Sequence, residues 1–181
     1  MRAVCCAVLL SLGWMSSVYA AEVSVRYEKK IYYLKAEFEV KASPARVMQV
    51  LTDYEGLVEL GPTIIASDIL NVVDENTTKV RTTIKDCILF FCKKVSRVEN
   101  IVQHGDEKLE MFVIPDQSDV RSGYSVWAFS ENASGTSMTF DANFQSKFWI
   151  PPIIRSQVLT RKFKRRVEEG IKRLQEKVDG L

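Results

Sequence analysis

TSMTFDANFQSKFWIPPIIRSQVLTRKFKRRVEEGIKRLQEKV, Thr136–Val178, changes its hydrophobic period halfway along. Met138, Phe140, Ala142, Phe144, Ser146 and Phe148 alternate with Thr139, Asp141, Asn143, Gln145 and Lys147. Such alternation makes a strand with one apolar and one wet face. Trp149-Ile150-Pro151-Pro152 stops it, and proline suits the first turn of a helix. Leu159, Phe163, Val167, Ile171, Leu174 and Val178 then recur every three or four residues. That is one apolar stripe on a helix of about 25 residues, roughly 38 Å long. A helix of this length, laid across a curved sheet, can act as the lid of an internal cavity.

Upstream, Val23, Val25 and Tyr27 share one parity, and Tyr32, Leu34, Ala36, Phe38 and Val40 share the other. The switch near Lys29 to Ile31 predicts a bulge that bends one long strand. Ser43 and Pro44 start a helix that carries Val47, Val50, Leu51 and Tyr54, and a second short helix covers Glu55 to Leu60 before Gly61-Pro62. Strand candidates follow at Thr63–Val73, Lys79–Cys87, Cys92–Val102, Leu109–Ile114 and Gly123–Phe129, separated by turn signals. There are no repeats or linkers, so residues 21–181 read as a single domain.

MRAVCCAVLLSLGWMSSVYA, residues 1–20, has the charge, apolar run and small-x-small end of a secretory signal peptide cleaved near Ala20. The alternative is an uncleaved anchor. The expected location is periplasmic or secreted. Cys5 and Cys6 leave with the leader, and Cys87 and Cys92 remain. In an oxidising compartment they form a disulfide, or else stay as two thiols in a strand. As hairpin partners they would clamp the four-residue tip Ile88-Leu89-Phe90-Phe91, which either touches a membrane or ligand at a cavity rim or folds back into the core. Two thiolates and the lone His104 are too few for a structural zinc, so no metal site is expected, and nothing calls for a cofactor.

The net charge of +2 hides an asymmetry. From Pro151 onward nine basic residues face four acidic ones. A basic terminal helix can meet an anionic membrane, or it can be an ordinary solvated face. The basic residues lack interleaved exposed aromatics, which argues against nucleic acid.

The order of strand, two short helices, antiparallel meander and long closing helix resembles the START-like (SRPBCC) superfamily, which includes polyketide cyclase/dehydrase and coenzyme Q-binding branches. The residues that carry it are FEVKASPARVMQVLTDYEGLVELGPTIIASDIL, Phe38–Leu70, and FWIPPIIRSQVLTRKFKRRVEEGIKRL at the far end. The resemblance implies an α+β helix-grip fold: a curved sheet of about six or seven antiparallel strands around the C-terminal helix, with two short helices after the first strand. It also implies a ligand between sheet and helix.

Walls for such a site are Leu51, Tyr54, Leu60, Ile64, Met111, Trp127, Phe140, Ala142, Phe144, Phe148, Leu159 and Phe163. Apolar, aromatic walls suit a lipid, isoprenoid or quinone-like molecule, although the same residues equally describe a dry core. Tyr27, Tyr32, Tyr33, Tyr124 and Ser146 are candidate hydroxyls on that wall, and Gly170 beside the helical stripe either leaves room for close packing or for ligand or only marks a kink. No catalytic group stands out: His104 falls in an exposed turn, and Asp53 reads as a local structural bond. The expected function is a hydrophobic-ligand carrier that is not an enzyme, and the alternative is an interaction module using the basic helix and the Ile88–Phe91 loop.

Overall fold

The chain runs β1 (Glu22–Glu28), β2 (Ile31–Val40), α1 (Pro44–Leu51), α2 (Leu57–Leu60), β3 (Ile64–Val72), β4 (Thr77–Ile88), β5 (Phe91–His104), β6 (Lys108–Val113), β7 (Val120–Asn132), β8 (Gly135–Ser146) and α3 (Gln157–Asp179). A computed structural model describes residues 21–88, 90–151 and 157–180. The expected leader, residues 1–20 with Cys5 and Cys6, the tip residue Leu89 and the proline at 152 lie outside the described residues. The eight strands form one antiparallel sheet in the order β1-β2-β8-β7-β6-β5-β4-β3. This is the α+β helix-grip architecture, with one strand more than the six or seven expected.

The extra strand comes from the parity switch. Lys29 and Lys30 have φ of 50° and 68°, so the chain reverses in a two-residue turn, and the expected bulge in one long strand is corrected to a hairpin. Cross-strand partners share a face, and the pairs are Tyr27↔Tyr32, Val25↔Leu34 and Val23↔Ala36. An odd-numbered face therefore becomes even-numbered across the turn, which is the signature a bulge would also leave.

One face of the sheet carries the core. Ala36, Phe38, Val40, Val80, Ile101, Leu109, Met111, Phe129 and Met138 are buried on it, and Val47, Met48 and Val50 of α1 and Leu174 and Val178 of α3 close over it. At 23 residues, α3 is roughly 35 Å long and touches β1 and β2 as well as β4. Its far end is held by Arg46, whose Nε donates to Val178 O at 2.7 Å, and by Gln175, whose Oε1 accepts from Lys41 N at 2.7 Å. Gly135 starts β8 at φ +140°, where an added Cβ would lie 2.3 Å from Val40 O, so both the conformation and the close approach require glycine.

The β4–β5 hairpin is longer than its neighbours. β3 begins opposite Ile84, with Lys85 N donating to Thr63 O just before it, and β6 ends opposite Glu99, so in the sheet Asp86 to Lys93 pair only with each other. Between these limits the turn after β6 covers β5: Ser118 Oγ accepts from Val98 N at 2.8 Å, and Asp119 Oδ2 accepts from Ser96 N at 2.7 Å. Cys87 and Cys92 pair directly across the projecting part and are joined by a disulfide. β4 runs to Ile88 and β5 starts at Phe91, so the connection is two residues long instead of the four expected.

Candidate functional site

Beneath α3 the sheet does not close on itself. An inner chamber of about 320 Å³ lies between Leu51 and Tyr54 of α1 and its exit, the strand residues Phe38, Met111, Trp127 and Phe140, and Phe163, Val167 and Ile171 of α3. An outer chamber of about 270 Å³ continues toward the projecting hairpin, lined by Phe91, Val95, Ala142, Phe144, Phe148, Ile150 and Leu159. Ile84, Arg97 and Glu99 line both, so the two adjoin. Each volume is near the lower end of the range that holds small molecules, and together they fall within it.

All twelve wall residues named from the sequence lie on these surfaces. Leu51, Tyr54, Leu60, Ile64, Met111, Trp127, Phe140 and Phe163 line the inner chamber, and Ala142, Phe144, Phe148 and Leu159 line the outer one. Strand alternation brings them together, because the even positions of β8 and the odd positions of β6 and β7 point to the helix side. Aromatic contacts stiffen the wall. Trp127 and Phe140 have ring centroids 4.4 Å apart, and Tyr32 stacks on Phe144 at 5.1 Å.

The polar features were not anticipated. Arg97 and Glu99 stand two apart on β5, on the face that otherwise carries Val95 and Ile101. Arg97 Nε lies 2.8 Å from Glu99 Oε2, and the glutamate side chain is only 4 % exposed. The N–H is out of line with the oxygen, so Arg97 Nε is buried beside an opposite charge without an aligned hydrogen-bond acceptor among the described residues. Buried Ser125 and Thr82 add hydroxyls nearby. The available signal was parity: Lys93, Arg97 and Glu99 interrupt the odd positions of β5 that also carry Phe91, Val95 and Ile101.

Several candidate hydroxyls have other roles. Tyr124 Oη donates to Glu110 Oε1 at 2.6 Å on the opposite face of the sheet, Ser146 Oγ donates to Phe148 O at 2.7 Å, and the Tyr33 ring lies under Arg26. The same outer cluster places His104 Nε2 2.7 Å from Glu110 Oε2 and Lys108 Nζ 3.3 Å from it. The Tyr124 hydrogen bond, with help from Lys108 and His104, holds the Glu110 carboxyl below the usual carboxylate range, and Glu110 in turn pushes the Tyr124 phenol up. Burial pushes the Tyr54 phenol up.

Asp86 fastens the lid. Its Oδ1 lies 2.7 Å from Lys162 Nζ and 3.3 Å from Arg166 Nη2, joining the end of β4 to the first half of α3. At the other half, Lys177 Nζ meets Glu59 Oε2 at 2.6 Å and Asp53 Oδ2 at 3.5 Å. Lys164, Arg165 and Lys172 pair with Glu168, Glu169 and Glu176 along the helix. Most of the helix's positive charge is therefore engaged within the fold. At the hairpin tip Phe90 turns outward, 82 % exposed, while Phe91 lines the outer chamber; Trp149, after β8, is 66 % exposed. Among the described residues no helix is long and apolar enough to cross a membrane, and no cluster of side chains could hold a metal ion.

Residues 34–179 match the sequence profile of the family described as polyketide cyclase / dehydrase and lipid transport. A search of curated protein sequences finds no match. Solved structures with the same fold include a STAR-related lipid transfer protein (fragment 25–204) from Xanthomonas axonopodis, at TM-score 0.70 and 15 % identity over 88 % of this chain and 94 % of that one. The Zhui aromatase/cyclase from a Streptomyces species superposes at TM-score 0.65 and 12 % identity, covering 82 % and 94 % of the two chains. A START superfamily protein from Mycobacterium smegmatis does so at TM-score 0.62 and 14 % identity, covering 82 % and 97 %. The expectation that the chain is not an enzyme is corrected here. The matching family is described by cyclases and dehydrases as well as lipid transport, and an aromatase/cyclase shares the fold. The physical reason is that folding brings charged and hydroxyl groups, scattered in sequence, into one sheltered cavity.

Proposed function

The chain belongs to the polyketide cyclase / dehydrase and lipid transport family, and on that footing we propose that it binds a hydrophobic small molecule, a lipid, isoprenoid or quinone-like compound, between the sheet and α3 and carries it in sheltered form. The observation that supports this reading is the pair of adjoining apolar chambers, with the Arg97–Glu99 pair on the wall they share. Each buried methylene contributes about 0.8 kcal/mol, so about fifteen give roughly 12 kcal/mol. Association costs of 4 kcal/mol or more leave a reversible complex, which suits a carrier. The charged pair and Ser125 favour a ligand with one hydrogen-bonding group partway along an apolar body, because an unpaired buried polar group is costly. The leader-like residues 1–20 and the disulfide support a secreted or periplasmic setting, with residues 21–181 acting as one domain.

The test is a fluorescence titration with the apolar probe N-phenyl-1-naphthylamine, comparing the native protein with Ala142→Trp, which fills the outer chamber from β8. The native protein should bind the probe with micromolar affinity and release it to a long-chain fatty acid or quinone. The variant should stay folded by circular dichroism and bind at least tenfold more weakly. A native protein that leaves the probe dark contradicts the reading, as does a folded variant with unchanged affinity.

A further inference from the structure

We infer that the disulfide-clamped β4–β5 tip and the segment just after β8 form a docking face for an anionic lipid bilayer, placed so that the outer chamber opens onto the bilayer surface. This rests on the reading of the chambers as a carrier site and adds where that site is loaded or emptied.

The two most exposed aromatic residues of the described chain, Phe90 and Trp149, stand on opposite rims of one opening. Their sequence neighbours show this. Phe91 and Phe148 both line the outer chamber, and Lys93 Nζ sits 5.5 Å from the Phe91 ring centroid and 5.6 Å from that of Phe148. Phe90 and Trp149 thus flank a single lysine-bridged seam, with their own rings turned to solvent.

The tip projects beyond its neighbour strands, so it can reach a flat surface before the rest of the sheet does. The disulfide at its base keeps the projecting ends together, so presenting Phe90 to lipid needs little ordering of the chain.

The charge pattern selects the occupant. Lys85, Lys93 and Lys94 are exposed on the projecting hairpin, whose one acid, Asp86, is already paired with Lys162 and Arg166. The Lys29-Lys30 turn lies at the same end of the sheet, because β2 starts where β8 ends. Asp116 and Asp119, between β6 and β7, and Glu28 beside the Lys29-Lys30 turn are the acids at that end; Asp119 is engaged with Ser96 N and Glu28 lies 3.9 Å from Arg26 Nε. Exposed aromatic side chains surrounded by lysines fit the headgroup region of an anionic membrane, where rings bury at the interface and ammonium groups meet phosphates. A soluble protein partner would more often meet a flat or grooved apolar patch than two isolated rings on opposite sides of a cavity mouth.

The experiment is co-sedimentation with phosphatidylcholine vesicles, with and without phosphatidylglycerol, for the native protein, Phe90→Ser/Trp149→Ser and Lys85→Gln/Lys94→Gln. None of these four residues lines a chamber, so N-phenyl-1-naphthylamine binding should be unchanged in both variants. The native protein should sediment with the phosphatidylglycerol vesicles and be released by salt. The aromatic variant should lose about tenfold in partition, and the lysine variant should lose its preference for the anionic vesicles. Native protein that ignores anionic vesicles at low salt overturns the inference, and so does an aromatic variant that partitions as the native protein does. Probe binding separates this from the carrier reading. Loss of vesicle binding with intact probe binding removes the docking face alone, while vesicle binding without probe binding removes the carrier and leaves a peripheral membrane protein.

Discussion

Arg97 Nε and Glu99 Oε2 are 2.8 Å apart on the wall common to both chambers. Removing one partner leaves the other charge buried and uncompensated, which costs more than replacing both. Arg97→Met should therefore destabilise by about 2–4 kcal/mol, and Arg97→Met/Glu99→Leu by less, measured by urea unfolding. A double variant as unstable as the single one would mean the pair is not the source of the cost.

Gly170 lies on α3 facing the inner chamber, and a Cβ there would meet only Leu60 O at 3.8 Å. The space is open, so the glycine's cost to the helix is not repaid by close packing. Gly170→Ala should stabilise by up to about 1 kcal/mol. In a calorimetric scan that is a rise of roughly 2–4 °C for a domain of this size. A fall in melting temperature would show that the helix needs the glycine for a reason the contacts do not express.

Asp86 holds the first half of α3 through Lys162 and Arg166, all three partly open to solvent. Partly exposed pairs add about 0–1 kcal/mol each, so Asp86→Asn should barely change global stability. It should instead loosen the lid: amides of residues 157–166 should exchange with deuterium several-fold faster, and a bound apolar probe should leave faster. Unchanged exchange in those amides would show that apolar contacts alone seat the helix.

Glu110 makes a pH-dependent contribution. Its carboxyl is held below the ordinary range by the Tyr124 hydroxyl, then by Lys108 and His104. A depressed acid stabilises fully above the pH where the unfolded glutamate ionises, about 4.3, and the stabilisation is lost as pH falls through the lower folded value. Glu110→Gln should remove that part of the acid sensitivity below about pH 5. Identical acid unfolding curves for the two proteins would contradict this.

Much of the fold was legible because alternation and helical stripes are local signals. Met138 to Phe148 announced β8, and Leu159 to Val178 announced the closing helix. The β1–β2 reversal was hidden because Lys29-Lys30 turns at positive φ without the asparagine or glycine that usually marks such a turn. The cavity walls were legible because parity decides which side chains face the helix. Arg97 and Glu99 were missed because charge on a strand normally reads as solvent-facing, and only the pairing of β5 between β4 and β6 turns those positions inward. The Asp86 latch joins residues 76 and 80 positions apart in the chain, and no local pattern records that contact.

The hollow beneath α3 is proposed to hold a guest molecule. Native mass spectrometry of the protein, isolated gently from its own compartment and followed by lipid extraction, addresses it directly. A mass excess of a few hundred daltons that disappears on denaturation and returns in the extract as one hydrophobic compound is the predicted result. A bare polypeptide mass, an empty extract, and no uptake when lipids are added back would contradict it.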